Sequence, residues 1–148
     1  MPLTEGSLAP DFKLKSTDGS VVELSRFKGK KNVVVYFYPK DDTPGCTKEA
    51  CSFRDDLPKI MEKDAVVFGV STDGLESHHA FHTKFTLNFP LLSDHDGSVS
   101  KAYDAFNPEK GMSRRVTAVI DKEGKIKKYF AQVNPEGHSR EVLEAIHS

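Results

Sequence analysis

Cys46 and Cys51 are the only thiols of the chain, five positions apart in the stretch YPKDDTPGCTKEAC, residues 38–51. A cysteine pair can carry redox chemistry, bind a metal or lie inert, and the surrounding residues weigh these options. Pro39 breaks the strand-like run before it. Thr43-Pro44-Gly45 then turns the chain into a helix, with Thr43 suited to the N-cap and Pro44 to the first helical position. Cys46 therefore falls in the first helical turn. Backbone N–H groups there lack helical partners, and the positive end of the dipole lies close. Both features stabilise negative charge on sulfur, and the thiolate is the form that attacks. The polar, turn-like neighbours of Cys46 argue against an inert core thiol. For Cys51 the small-hydrophobe reading stays open. A zinc site is weaker still, because there is no CxxC spacing and no second pair.

The spacing raises a geometric question. Five residues of α-helix turn by about 500°, so Cys51 points roughly 140° away from Cys46 and lies ~7.5 Å further along the axis. With Cα atoms on a cylinder of radius ~2.3 Å, the Cα–Cα distance is roughly 8.6 Å. A disulfide needs Cα atoms within about 7 Å. If the two thiols are partners, the helix must unwind locally before they can bond, and fraying helix ends make such a motion accessible.

The elements that would position these residues are legible as hydrophobic runs. Asn32–Tyr38 (NVVVYFY), Ala65–Ser71 (AVVFGVS) and Arg115–Asp121 (RVTAVID) read as buried strands. Lys122-Glu123-Gly124 reads as a turn into an antiparallel neighbour at Ile126–Val133. Phe12–Ser16 and Val21–Leu24 flank a further hairpin turn at residues 17–20. Helical patterns cover about Gly45–Lys63, Leu75–Phe85, a short segment after Gly97, and Ser139–His147 with Ser139 as N-cap. Pro58 inside the first predicts a kink or an end near Leu57. The alternation gives an α/β protein, a central mixed β-sheet flanked by helices.

The bulk properties exclude several function classes. With 148 residues, no repeat and no linker, residues 1–148 read as a single domain. Lys plus Arg (21) nearly balances Asp plus Glu (22), so nothing points to nucleic acid or an anionic membrane as partner. No apolar run approaches the ~20 residues of a membrane helix. MPLTEGSLAPDF does not resemble a signal peptide. Two cysteines without an export signal suit a reducing, cytoplasmic setting.

The stretch FYPKDDTPGCTKEAC closely resembles the active-site segment of peroxiredoxins, and the second cysteine five residues on resembles their bacterioferritin comigratory protein, or peroxiredoxin Q, subgroup. GSLAPDFKLKSTDG, VVFGVSTDGLESHHAFHTKFTLNFPLLSD and RRVTAVIDKEGKI are similar to further segments of that family. The PxxxTxxC pattern is met by Pro39, Thr43 and Cys46. The resemblance implies a thioredoxin-like fold with peroxiredoxin additions and a thiol-dependent peroxidase acting on hydrogen peroxide and organic hydroperoxides. It makes Cys46 the peroxidatic and Cys51 the resolving cysteine, with Thr43, Pro39 and Arg115 completing the pocket and Glu49 orienting the arginine. Ala118 stands where the family usually has an aromatic. The resemblance also implies recycling by thioredoxin or a similar dithiol and a monomer or weak dimer. No cofactor and no metal is expected.

Two other functions remain on the table. A disulfide reductase of the same fold lacks its CxxC here. A redox-regulated binding or chaperone protein would consume peroxide at most stoichiometrically. Among the remaining residues, His78 and His82 share a helix face but lack a glutamate or third ligand, and are expected to face solvent. Asp41 and Asp42 are also expected to face water, since an inward carboxylate would oppose a thiolate. Asp94, Asp96 and Gly97 read as a turn and helix cap rather than a calcium loop.

Overall fold

The computed structural model describes residues 4–147; Met1–Leu3, which begin the segment read above as lacking an export signal, lie outside the described residues. In chain order the strands are β1 (Lys13–Ser16), β2 (Val21–Glu23), β3 (Asn32–Phe37), β4 (Ala65–Ser71), β5 (Leu91–Ser93), β6 (Phe106–Asn107), β7 (Met112–Ser113), β8 (Val116–Ile120) and β9 (Ile126–Phe130). The helices are α1 (Pro44–Glu62), α2 (Leu75–Lys84), α3 (Ser98–Ala102) and α4 (His138–His147), and a 3-10 turn covers Leu24–Phe27.

Seven strands form one sheet in the order β2-β1-β5-β4-β3-β8-β9, and β6 pairs with β7 apart from it. β3 and β4 are parallel, as are β4 and β5, whereas β8 runs antiparallel to β3 and to β9. The sheet is thus mixed, as the pattern predicts. β3 and β4 lie at its centre because continuous apolar runs can be covered on both faces. Side-chain alternation then sorts β3 between two cores. Val34, Tyr36 and Tyr38 pack with Ala50, Phe53 and Ile60 of α1, Phe81 of α2 and Val142 of α4. Val33, Val35 and Phe37 pack on the other face with Phe12, Leu24, Val99 and Tyr103. Ala118 belongs to this second core, opposite Tyr129 across the β8–β9 pair. An aromatic from the neighbouring strand packs against the cluster that holds this alanine.

α1 does not end near Leu57. It continues to Glu62 with Pro58 inside it. Pro58 has no N–H to give the carbonyl of Arg54, four residues back. That carbonyl instead accepts from the Asn88 side-chain amide at 3.0 Å. With the orphaned acceptor satisfied, and Leu57 and Ile60 buried on either side, the helix persists. Ser139 is not the cap of α4 either. The helix begins at His138, and the Ser139 hydroxyl donates to Asp56 of α1 at 2.6 Å. The reading of Asp94 as a cap does hold: its carboxylate accepts from the backbone N–H groups of Val99 and Ser100 at the start of α3.

Candidate active site

Cys46 is the third residue of α1, directly after the link from β3. The helix starts because Pro44 can occupy the first helical position without a missing bond. Thr43 is extended at the N-cap, and its carbonyl accepts from the Thr47 N–H at 2.8 Å. Its hydroxyl does not cap the helix. It turns back and donates to the Lys40 carbonyl at 2.9 Å, tightening the link rather than the first turn. Pro39 lies half-buried in the same link.

The Cys46 side chain is not in the polar setting its sequence neighbours suggest. It is 1% exposed and packs with Tyr36, Tyr38 and Ala50. The polar residues beside it in sequence point elsewhere, because a helix sends neighbours to different faces. One charged group does reach the sulfur. Arg115, directly before β8 and 20% exposed, donates from Nη2 to Cys46 Sγ at 3.4 Å and from Nη1 to Glu49 Oε1 at 2.8 Å. Glu49 lies three residues after Cys46, on the same helix face. The planar guanidinium suits this double contact, since its donors point in fixed directions.

Glu49 is buried, and its second oxygen, Oε2, makes no hydrogen bond within the described residues. Burial pushes the carboxyl up to about 7, against the pull of Arg115. Gly45 has a role that turn chemistry alone does not reveal. A Cβ there would lie 3.0 Å from Arg115 Nη2 and 3.6 Å from Pro135. The absent side chain is what lets the guanidinium approach the helix end.

Cys51 is half-buried on the next turns of the same helix, and both thiols are free. An unbroken helix from Pro44 to Glu62 therefore separates them, as the spacing predicts. Asp42 faces water and pairs with Lys84 at 2.8 Å. Asp41 and His78 do not face water: both are buried and joined at 2.7 Å. Nothing in a polar run such as LESHHAFH marks one histidine as internal. Only the helical period would place His78 beside the buried Phe81, three residues on.

A buried sulfur in the first turn of a helix, contacted by an arginine beside a thioredoxin-like sheet, is the arrangement expected of a thiol-dependent peroxidase. The comparisons agree. The AhpC/TSA family model matches residues 6–129, and the chain belongs to that family. It is 47% identical to the chloroplastic peroxiredoxin Q of Sedum lineare, over 99% of this chain and 79% of that protein. It is 42% identical to the peroxiredoxin Bcp of Bacillus subtilis, over 99% of this chain and 96% of the relative. The solved structure of the Xanthomonas campestris bacterioferritin comigratory protein, described for its alkyl peroxide reduction activity, superposes with a TM-score of 0.88 at 31% identity, covering 97% of this chain and 98% of the other. The chain is a peroxiredoxin of the Bcp and peroxiredoxin Q group.

Proposed function

We propose that this peroxiredoxin reduces hydrogen peroxide and organic hydroperoxides with Cys46 as nucleophile and Cys51 as resolving thiol. The observation that carries the reading is the contact of Arg115 with Cys46 Sγ at 3.4 Å, at the first turn of α1. The Cys46 thiolate attacks one oxygen of ROOH in line with the O–O bond. That bond breaks, and the leaving oxygen departs as ROH after taking a proton. Sulfur keeps the other oxygen as a sulfenic acid. Negative charge moves from sulfur to the leaving oxygen, and fixed donors aimed along that path lower the barrier. Arg115 and the uncapped N–H groups of the first turn are such donors. Thr43 contributes once its hydroxyl leaves the Lys40 carbonyl. Pro39 forms pocket wall and offers no N–H.

Cys51 then attacks the sulfenic sulfur after the first turns of α1 unwind. The S–S bond forms, the S–O bond breaks and water leaves. A dithiol of the thioredoxin kind reduces the disulfide by exchange. Both cysteines and the arginine come from one chain, which suits a monomer or weak dimer. A chain whose only two cysteines do redox chemistry suits a reducing compartment such as the cytoplasm. Among the described residues no helix is long and apolar enough to cross a membrane.

A coupled peroxidase assay with thioredoxin, run on wild type, Cys46→Ser and Cys51→Ser, tests this. Cys46→Ser is expected to be inactive. Cys51→Ser is expected to form one sulfenic acid and then stop. Normal cycling of Cys51→Ser would remove Cys51 from its role.

A further inference from the structure

Asp41 lies in the β3–α1 link, five residues before Cys46. Its buried carboxylate is fully engaged. Oδ1 accepts from the Tyr38 hydroxyl at 2.5 Å. Oδ2 accepts from the Ser77 hydroxyl at 2.8 Å and lies 2.7 Å from His78 Nδ1. The Asp41 backbone N–H donates to Asp73 Oδ2 at 2.8 Å, and the Ser71 hydroxyl donates to the same oxygen. His78 is fully buried, and its Nε2 lies 2.9 Å from the Leu92 carbonyl of β5. A carbonyl only accepts, so Nε2 carries a hydrogen. The other ring nitrogen then faces a carboxylate, and one proton lies on the line between them. His78 thereby ties β5, α2 and the link to the catalytic helix. Outside this cluster, Lys84 of α2 holds Asp42.

The ligand atoms of Asp41, Asp73 and His78 lie within 4.8 Å of one another. Yet ligands bonded to one zinc ion at ~2.0–2.2 Å stand roughly 3.4 Å apart, and the 2.7 Å separation of Nδ1 and Oδ2 is a hydrogen bond. The cluster is a clamp made of protein groups.

We propose that His78 is a positioning residue of the peroxidase cycle: by fixing Asp41 it holds the β3–α1 link and the first turn of α1 closed, and so sets how often Cys46 can swing out to meet Cys51. The proposal rests on Cys51 being the resolving thiol. From the Cys46 sulfenic acid two reactions compete. In one, the Cys51 thiolate attacks the sulfur, an S–S bond forms, the S–O bond breaks, and hydroxide leaves as water. In the other, a second hydroperoxide oxidises the sulfenic acid to sulfinic acid and leaves as ROH. Only the first needs the link to open, so a firm clamp shifts the balance towards sulfinic acid.

The test compares wild type with His78→Gln and Ser77→Ala by two readouts. One is amide hydrogen exchange of the reduced protein in residues 44–50 against residues 53–57. The other is the ratio of sulfinic acid to Cys46–Cys51 disulfide as hydrogen peroxide is raised. Glutamine can replace only part of the ring's double attachment. Loss of a fully buried bond in His78→Gln, which leaves a buried carboxyl oxygen short of a partner, is expected to speed exchange in residues 44–50 by about tenfold or more. The sulfinic fraction should fall by a similar factor, with a smaller change of the same sign in Ser77→Ala. Leu24→Ala, which opens a hole in the opposite core, is expected to lower the melting temperature without moving the ratio. Unchanged exchange and ratio in His78→Gln would overturn the proposal, as would an equal shift in Leu24→Ala. If His78→Gln does not fold, an unshifted Ser77→Ala has the same force. A wild type that forms no Cys46–Cys51 disulfide shows instead that the reading of Cys51 has failed, and exchange alone then decides the clamp.

Discussion

At the scale of single residues, Arg115 is the pivot. It contacts the sulfur with one nitrogen and Glu49 with the other, and Gly45 leaves it room. Gly45→Ala separates stability from chemistry. Alanine favours a helix over glycine by up to about 1 kcal/mol, so the melting temperature should hold or rise. The new methyl would stand 3.0 Å from Nη2 and must push the guanidinium aside. The rate of sulfenic acid formation, followed by stopped flow, should fall severalfold or more. Glu49 makes a different prediction. The unfolded chain releases its proton near the ordinary 4.5, whereas the folded protein holds it to about 7. Between those values the native state binds more protons, so this contribution is fully present below 4.5 and is lost as pH rises through about 7. The span corresponds to on the order of 3 kcal/mol. Glu49→Gln should therefore flatten the pH dependence of unfolding free energy in that window, measured by urea titration. An unchanged slope would mean that Glu49 is ionised throughout.

At the scale of elements, α1 carries both thiols, and in the proposed cycle it is firm at one end and opens at the other. Its far half is firm despite Pro58 because Asn88 fills the acceptor that proline abandons. Asn88→Ala should cost about 1 kcal/mol of stability, read as a lower urea midpoint with an unaltered slope. The long strands were legible because NVVVYFY and AVVFGVS are apolar on both faces. β5, β6 and β7, two or three residues each, are too short to show a period and were not read as strands from the sequence. The persistence of α1 through Pro58 depends on a residue thirty positions away, and no local reading could supply that. The catalytic end was half legible. Cys46, Glu49 and Arg115 follow from motif and resemblance, whereas the burial of Asp41 and His78 does not. Polar residues face water by default, and only their mutual contact across the fold reverses this.

At the scale of the whole molecule, the two thiols cannot bond without change in the fold, because α1 is continuous through both. If the two form a disulfide, oxidation withdraws Cys46 from a core it shares with Tyr36, Ala50 and Phe53. The oxidised protein is therefore expected to show less helical signal in far-ultraviolet circular dichroism, by about the first one or two turns, and a lower melting temperature than the reduced form. Equal helicity in the two states would contradict a transition through local unwinding. In the proposed cycle the reduced state has the complete site, the oxidised state gives it up, and the link held by His78 governs the passage between them.

The measurement that bears most directly on the account is peptide mapping by mass spectrometry after one equivalent of hydrogen peroxide is added to the reduced protein. The predicted product is a Cys46–Cys51 bond within one chain, with both thiol hydrogens lost and a Cys46 sulfenic acid trapped in Cys51→Ser. Oxidation that settles on Cys51 while Cys46 remains a free thiol would contradict it.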